Sequence, residues 1–391
     1  MRTSNTRRLL WYISILAVMI ISQSAVVCAL DDITLWEAAL TKRDSGNLAE
    51  AKLFFEQLLK EQPTSSKAPG AQLSLARIKF KLTPNSTQEL VEAFKLVRTN
   101  YPASTEAADA LVSIGFLHSR ADTTQAIKSF EDFIKQYPKH PSIARVSQSL
   151  GRLYLKTLEL DKAEASFDRV KSITGVSEEL ADEAALQSGF VKVMKYYATK
   201  DKSHLPNAIN ALSKLTSSGQ INVRARADLG IAECLLLSGK CKDAREKYMT
   251  AAQTYSTEPY FNIIALYGAA VSSQQTGKIV QAIDDYAKVL AALPGSTLAD
   301  KDGNWKSIAL ANTTQAEQAQ IQQDGSWERL QGIGIVQQSV YEQGRCLYLL
   351  KRYDEAIKVL LELVQYLPEG NELRVQANEL MQRCINAKGG N

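Results

Sequence analysis

Apolar residues recur along most of the chain at intervals of three and four positions, which is the spacing of one face of an α-helix. Short turns, several of which contain glycine, separate these segments, and the segments come in pairs. The second segment of a pair carries a small residue, an aromatic residue or leucine four positions later, and often a proline at its end. This pattern predicts an all-α chain built from helical hairpins.

The same hairpin pattern returns about eight times, which predicts a repeat array rather than separate globular domains. The corresponding position of the second helix is alanine in seven copies and leucine in one weaker copy: Ala51, Leu90, Ala126, Ala163, Ala208, Ala244, Ala282 and Ala356. Neighbouring positions are 36–39 residues apart, except for intervals of 45 before Ala208 and 74 before Ala356. The longest interval predicts an insertion about as long as one repeat.

Two copies carry the pattern most clearly, with Gly151 and Ala163 in one copy and Gly344, Ala356 and Pro368 in the other. This order of small, small and terminal proline resembles the tetratricopeptide repeat (TPR) family. Small residues let two helices approach closely, and proline ends a helix because it lacks an amide hydrogen. The resemblance covers about residues 33–385. It implies an α-solenoid of about eight TPR-like helical hairpins with a C-terminal capping helix.

Some repeats continue with Tyr-Pro and small residues, as at Tyr101-Pro102-Ala103 and Tyr137-Pro138. Together with the repeat spacing, these dipeptides resemble a subgroup found in bacterial cell-envelope proteins. That subgroup includes the outer-membrane assembly lipoprotein and the Tol–Pal accessory protein. The resemblance implies a protein-binding function in the envelope.

The first 29 residues have the features of a secretory signal peptide: three arginines, an apolar run from Leu9 to Ile21, and small residues before Ala29. We expect cleavage after Ala29, which predicts an exported, periplasmic or envelope-associated protein. An uncleaved N-terminal anchor is one alternative, and lipid attachment at Cys28 is another. The predicted organisation is a signal peptide (1–29), repeats one to seven (30–294), a polar insertion (295–335), and the last repeat with its capping helix (336–391).

Charge argues against nucleic acid as a partner. The formal net charge is +4, but three of the 46 Lys and Arg residues lie in the predicted signal peptide, which has no Asp or Glu. The rest of the chain is nearly neutral, whereas nucleic-acid binding needs clustered cations. No later stretch is long and apolar enough to span a membrane, so we expect no integral span after signal removal. The oligomeric state is not predicted.

Catalytic and metal-binding signatures are absent from the sequence, which contains no HExxH, GxSxG, Walker A or EF-hand pattern. The three histidines, His118, His140 and His204, fall in different repeats. We therefore predict that the protein is not an enzyme and needs no metal or cofactor. A site in the insertion is the remaining enzymatic alternative.

Export permits disulfide bonds. Cys234 and Cys241 face each other across one predicted turn, and Cys346 and Cys384 lie in the last repeat and the capping helix. Each pair is a candidate disulfide. The alternative is that all four are small buried residues with free thiols.

The first helices of stacked hairpins line the concave face of a solenoid, where such proteins bind partners. Counting from the clearest repeats, we expect this face to carry Trp36, Arg43, Arg145, Gln148, Arg152, Tyr267, Gln274, Tyr341, Arg345 and Tyr348. Arg and Tyr are common at protein-binding hot spots. We therefore predict a scaffold that binds an acidic peptide or protein segment, with a cell-wall or carbohydrate-binding module as the alternative. Trp305 and Trp327 of the insertion either anchor a partner or pack on the repeats.

Overall fold

A computed structural model describes residues 31–292, 327–367 and 369–389. The predicted signal peptide and most of the predicted insertion, including Trp305, lie outside the described residues. Within them the chain forms seventeen α-helices and no strand. The helices form two compact units, which end and begin inside one helix, at Leu153 and Tyr154.

The first unit contains six helices and most of a seventh. They are α1 (Asp32–Asp44), α2 (Leu48–Glu61), α3 (Ala68–Leu82), α4 (Thr87–Asn100), α5 (Thr105–Ala121), α6 (Thr123–Gln136) and α7 (Ile143–Lys156). Each of the first five packs on the next in the chain, as expected for stacked hairpins.

The second unit is also built of helices that pack on their neighbours in the chain. Its helices are α8 (Leu160–Lys171), α9 (Glu178–Thr199), α10 (His204–Ser213), α11 (Ile221–Leu237), α12 (Cys241–Thr254), α13 (Pro259–Gln275), α14 (Ile279–Ala291), α15 (Trp327–Leu349), α16 (Tyr353–Tyr366) and α17 (Glu372–Gly389). Helix α15 begins inside the stretch predicted to be an insertion, at Trp327, whose side chain is not among those described. The prediction of an all-α solenoid of about eight hairpins is confirmed.

The repeat pattern corresponds to the core. The eight small positions read from the sequence are all fully buried: Ala51, Leu90, Ala126, Ala163, Ala208, Ala244, Ala282 and Ala356 each have 0% exposure. Glycines of the first helices lie directly under large side chains. A Cβ atom built on Gly344 would lie 2.7 Å from Leu360 of its own hairpin, and one built on Gly268 would lie 2.5 Å from Tyr248. These positions therefore must be small because helices touch there.

In five hairpins, the turn has a left-handed residue five positions before the buried alanine of the second helix. Gly46, Gly239 and Gly277 occupy this position with φ of 81°, 85° and 73°. Leu158 and Lys351 occupy it in two other hairpins, with φ of 60° and 59°. Glycine adopts this conformation without strain, whereas a side chain costs about 1–2 kcal/mol there.

A buried carboxylate joins three helices of the second unit. Asp285 of α14 has 1% exposure and receives two hydrogen bonds from the guanidinium of Arg245 in α12, at 3.0 and 2.9 Å to Oδ2. The hydroxyl of Ser273 in α13 donates to the same oxygen at 2.8 Å, and Lys288 Nζ lies 2.8 Å from Oδ1. Burial alone would raise the pKa of Asp285, but the hydrogen bonds from Lys288, Ser273 and Arg245 lower it overall.

Helix α17 closes the stack. Its inward residues Ala377 and Leu380 join an apolar cluster with Val340, Leu360 and Leu363, which α15 and α16 supply. Most of its outward positions are polar and exposed, including residues 378, 379, 382, 383 and 386. This helix has the arrangement that a capping helix requires, since its polar face meets water and its apolar face covers the last hairpin.

Across residues 31–292 and 327–389, no helix combines the length and apolar character needed to cross a membrane.

Candidate functional site

A cavity of about 500 Å³ lies in the first unit, between successive first helices of the hairpins. Arg77 and Phe80 of α3 form one wall, Asp109, Phe116 and Arg120 of α5 form the floor, and Arg145 of α7 lines the other wall. We call these six residues the first-unit groove. Because first helices supply all six, the groove lies on the face where a solenoid binds its partners.

The sequence of α5 explains which side chains face the groove. Ser104 caps this helix, since its hydroxyl accepts a hydrogen bond from the Ala107 amide at 3.1 Å. Leu111 and Ile114 are buried on one face of the helix. Residues 109, 116 and 120 are separated by seven and four positions, so they share another face. Because Leu111 and Ile114 are held in the core, residues 109, 116 and 120 on the other face of α5 are directed toward the groove.

Two arginines of the groove are stacked on aromatic rings. The guanidinium carbon of Arg145 lies 4.8 Å from the ring centre of Phe116, and that of Arg120 lies 5.6 Å from the ring centre of Phe80. Phe116 is in turn held by Phe130, with ring centres 5.1 Å apart. Stacking covers one face of a guanidinium and leaves its in-plane N–H groups able to bind a carboxylate.

Both stacked arginines are exposed. Within the part of the chain that the structure describes, neither Arg120 nor Arg145 forms an ion pair with a carboxylate. They are therefore oriented cations whose hydrogen-bonding edges remain open to a ligand.

The other end of the groove is already occupied by an internal ion pair. Arg77 Nη2 lies 3.1 Å from Oδ2 of Asp109, and His140 Nε2 lies 3.6 Å from Oδ1. His140 Nδ1 accepts the backbone amide hydrogen of Ser142 at 3.1 Å. One end of the groove thus holds a carboxylate paired with Arg77, and the other presents guanidinium groups without a carboxylate partner.

The second unit has a related stack that is compensated. Arg226 of α11 lies 5.6 Å from the ring centre of Phe190 in α9, and its Nη1 lies 3.5 Å from Oε2 of Glu183. This arginine has an internal carboxylate partner, so it offers less to a ligand than Arg120 and Arg145 do.

Two larger cavities lie elsewhere, and a central cation of each is ion-paired. A cavity of about 750 Å³ is lined by Arg245, which binds Asp285, and by the apolar Met249. A cavity of about 610 Å³ is lined by Lys79, whose Nζ lies 2.9 Å from Glu89 Oε2. The first-unit groove therefore stands out for its two stacked, unpaired guanidinium groups rather than for its size.

Of the predicted partner-binding residues in α7, Arg145 lines the groove. Arg152 is exposed on the same helix but does not line this cavity. Gln148 is buried, with 8% exposure, so it is not available to a partner in this structure. Gln148 is buried because it lies on the face of α7 that packs inward.

The two predicted residues of α1 make internal contacts. The Trp36 ring packs edge-on against Phe55 at 5.6 Å and covers Gly70, where a Cβ atom would lie 2.7 Å from the indole. Arg43 is half-buried and forms an ion pair with Asp44 at 2.8 Å.

The predicted residues of α13 and α15 converge on a buried carboxylate. Gln274 Nε2 donates to Glu342 Oε2 at 3.1 Å, and Arg345 Nη1 lies 3.0 Å from Oε1. The Tyr286 hydroxyl donates to Gln274 Oε1 at 2.7 Å, and Tyr267 packs 6.0 Å from that ring. Much of this polar surface is therefore satisfied inside the protein.

Tyr341 and Tyr348 of α15 are half-buried. Burial raises the pKa of the Tyr341 hydroxyl, and the Tyr348 ring packs 5.7 Å from Tyr353. Whether any of the ten predicted residues binds a partner stays a prediction.

Sequence reasoning missed Arg77, Phe80, Asp109, Phe116 and Arg120. They lie in α3 and α5, whose hairpins carry less regular copies of the repeat pattern, with Leu90 at one small position. A signal was present in α5. The acidic, aromatic and basic residues of this helix share one face, separate from the buried Leu and Ile.

The four cysteines among the described residues are free thiols in this structure. Cys346 and Cys384 are fully buried in one apolar cluster, and burial raises the pKa of Cys346 to about 11. Burial also raises the pKa of Cys234 to about 12, whereas Cys241 is partly exposed. The two disulfides stay predictions. Among the described residues, no cluster of three or more His, Cys, Asp or Glu side chains is arranged to hold a metal ion.

Comparison with known proteins supports the repeat assignment. The model of the family described as Tetratricopeptide repeat matches residues 109–140 and 338–370. These segments contain much of the α5–α6 hairpin and most of the α15–α16 hairpin. No curated protein matches the chain.

Several solved structures are similar to this chain at low identity. A tetratricopeptide repeat protein from Parabacteroides merdae is 15% identical, with 68% of this chain and 94% of that chain covered and a TM-score of 0.39. The C-terminal part of a TPR repeat-containing protein from Cytophaga hutchinsonii is 15% identical over 67% of this chain and 96% of that chain, with a TM-score of 0.49. PilF from Pseudomonas aeruginosa is 16% identical over 63% of this chain and 96% of that chain, with a TM-score of 0.37.

The hairpins, their buried small positions and the two matched segments agree with one another. The chain is an all-α solenoid whose repeats are supported as tetratricopeptide repeats by the family match at residues 109–140 and 338–370.

Proposed function

We propose that this protein is a non-enzymatic scaffold that binds acidic segments of other proteins in the first-unit groove. The observation that carries the proposal is the pair of exposed guanidinium groups, Arg120 and Arg145, stacked on Phe80 and Phe116 without a carboxylate partner. Solenoids of helical hairpins use such surfaces to bind peptides and protein segments.

The groove chemistry favours a ligand with carboxylates and an apolar side chain. The guanidinium edges take the carboxylates, while Phe80, Phe116 and the buried Val112 offer apolar contact. A pre-stacked arginine loses less conformational freedom on binding than a freely rotating one, which favours affinity.

The binding test uses an acidic peptide as the probe, acetyl-Glu-Phe-Glu-Ser-Lys-amide, titrated into the protein by calorimetry. We expect Arg120→Gln and Arg145→Gln each to weaken binding by about tenfold, because each removes one charge-assisted hydrogen-bonding group. The matched control is Arg226→Gln, which removes a stacked arginine that already has Glu183 as its partner. Circular dichroism checks that all variants are folded.

Equal losses for the control and the groove variants would contradict this site, because they would indicate a general charge effect. Retention of the protein on isolated cell wall, with no affinity for acidic peptides, would favour the carbohydrate-binding alternative instead.

We also propose that the scaffold acts in the bacterial periplasm or cell envelope. The support is the N-terminal sequence, with its arginines, apolar run and small residues before Ala29, together with the Tyr-Pro dipeptides of the repeats. Mass spectrometry of the protein from its native host tests this proposal. We expect a mature N-terminus at Leu30, and a chain that still begins at Met1 in the cytoplasmic fraction would refute export.

A further inference from the structure

The first-unit groove differs in charge from one end of α5 to the other. Asp109 and Arg120 stand eleven positions apart on this helix, which is about 16 Å at the helical rise. An extended segment of about five residues covers that distance. A ligand that lies along α5 therefore meets a carboxylate at one end and guanidinium groups toward the other.

The two open arginines define where acidic side chains of a ligand fit. Arg145 is stacked on Phe116, and Arg120 follows Phe116 by one helical turn, about 6 Å along the axis. In an extended chain, side chains two positions apart project to the same side at about this separation. Two acidic residues at positions i and i+2 of a ligand thus match the two arginines.

The Asp109 carboxylate opposes an acidic residue at the other end. Its side chain has 38% exposure and lines the cavity, and its ion pair with Arg77 holds it there. A ligand carboxylate placed beside it would gain no ion pair from Arg77, which Asp109 already neutralises, and would lie next to the like charge of Asp109. A basic or neutral group would not meet this penalty.

We infer that Asp109 is a specificity-determining residue that sets the register of the bound segment. The groove accepts segments whose acidic residues are grouped at one end, with an apolar residue between them and a basic or neutral residue at the other end. It discriminates against segments that carry acidic residues at both ends. This inference rests on the proposed function of the groove as a binding site for acidic segments.

Two peptides of identical composition test the inference by calorimetry. The grouped peptide is acetyl-Glu-Phe-Glu-Ser-Lys-amide, and the split peptide is acetyl-Glu-Ser-Lys-Phe-Glu-amide. Length, net charge and residue content are equal, so the two peptides differ only in the order of their residues, which groups or separates the two acidic side chains. We expect the intact protein to bind the grouped peptide about tenfold more tightly than the split peptide.

The variant Asp109→Asn removes the carboxylate and keeps the shape of the side chain. We expect it to reduce the ratio of the two affinities to about twofold or less, mainly by tightening the split peptide. The matched control is Glu89→Gln, which breaks an exposed ion pair of the same unit outside the groove, the pair with Lys79. This control should leave the ratio unchanged.

Each outcome is decisive. Equal binding of both peptides by the intact protein overturns the inference but leaves the proposed function standing. An unchanged ratio in Asp109→Asn rejects Asp109 as the discriminating residue. If neither peptide binds, the proposed function and this inference both fail.

Discussion

Gly115 of α5 connects the repeat core to the groove. A Cβ atom built on it would lie 2.6 Å from Cδ1 of Phe130 and closer still to Cε1, within a distance that real side chains do not adopt. Phe130 has 0% exposure, so its ring is enclosed on all sides. Phe130 also supports Phe116, the ring on which Arg145 is stacked. The substitution Gly115→Ala therefore perturbs both stability and the site.

Two opposing effects decide how much Gly115→Ala changes the stability of the fold. Forcing a methyl group into a close-packed contact costs about 1–3 kcal/mol, because the ring must leave its preferred position. Replacing glycine by alanine inside a helix contributes about 1 kcal/mol of stability. The clash is larger, so we expect Gly115→Ala to lower the local stability of α5 and α6 by about 1 kcal/mol.

Gly334 of α15 is the matched control, since it is also helical and a Cβ atom there would have nothing within 4 Å. We expect Gly334→Ala to stabilise its helix by about 1 kcal/mol. Amide hydrogen exchange read by mass spectrometry measures the two hairpins separately, which suits a repeat array whose parts open independently.

Faster exchange in α5 and α6 for Gly115→Ala, and slower exchange in α15 for Gly334→Ala, are the expected results. Affinity for the acidic peptide should also fall in Gly115→Ala, because a displaced Phe130 moves the support of Phe116. If both substitutions slowed exchange equally, the close contact between α5 and α6 would be refuted.

Three further predictions concern other parts of the fold. Leu158→Gly should raise the free energy of unfolding by up to about 1 kcal/mol, measured by urea, because Leu158 has φ of 60° and is 73% exposed. Gly239→Ala, at φ of 85°, should lower it by a similar amount. Asp285→Asn should cost about 2–4 kcal/mol of unfolding free energy at pH 7. Because folding lowers the pKa of Asp285, its contribution is present above the unfolded value of about 4 and disappears as the pH falls through the lower folded value. The free energies of unfolding of variant and parent, measured in urea, should therefore converge as the pH is lowered through that range. In the native protein at pH 8, iodoacetamide should label the partly exposed Cys241 first, as peptide mapping would measure. The buried Cys346, with a pKa of about 11 and about a thousandth of its thiol ionised, should react only after unfolding. Early labelling of Cys346 would contradict its burial.

The fold could be predicted from the sequence because the residues that pack together in each hairpin lie close together in the chain. The spacing of Gly344, Ala356 and Leu360 appears within twenty residues, and all three are buried in one hairpin as predicted. Local periodicity is enough for such contacts, since the two helices of a hairpin are neighbours in the chain.

The groove could be predicted only in part, because its contacts join helices of different hairpins. Arg145 was recognised from its place in a regular repeat, but its stacking on Phe116 depends on the angle between α5 and α7. Gln148 shares a helix with Arg145 and lies on the inward face instead. A small rotation of one helix decides between these outcomes, and repeat spacing does not specify it.

Helix α17 also decides whether the α15–α16 hairpin exposes its apolar face. Until its residues Ala377 and Leu380 are in place, Leu360, Leu363 and Val340 present an uncovered apolar surface. Such a surface is what chaperones and proteases recognise in incomplete proteins. A chain interrupted before α17 would therefore be recognised through this exposed surface, and α17 removes the surface when it packs on the hairpin.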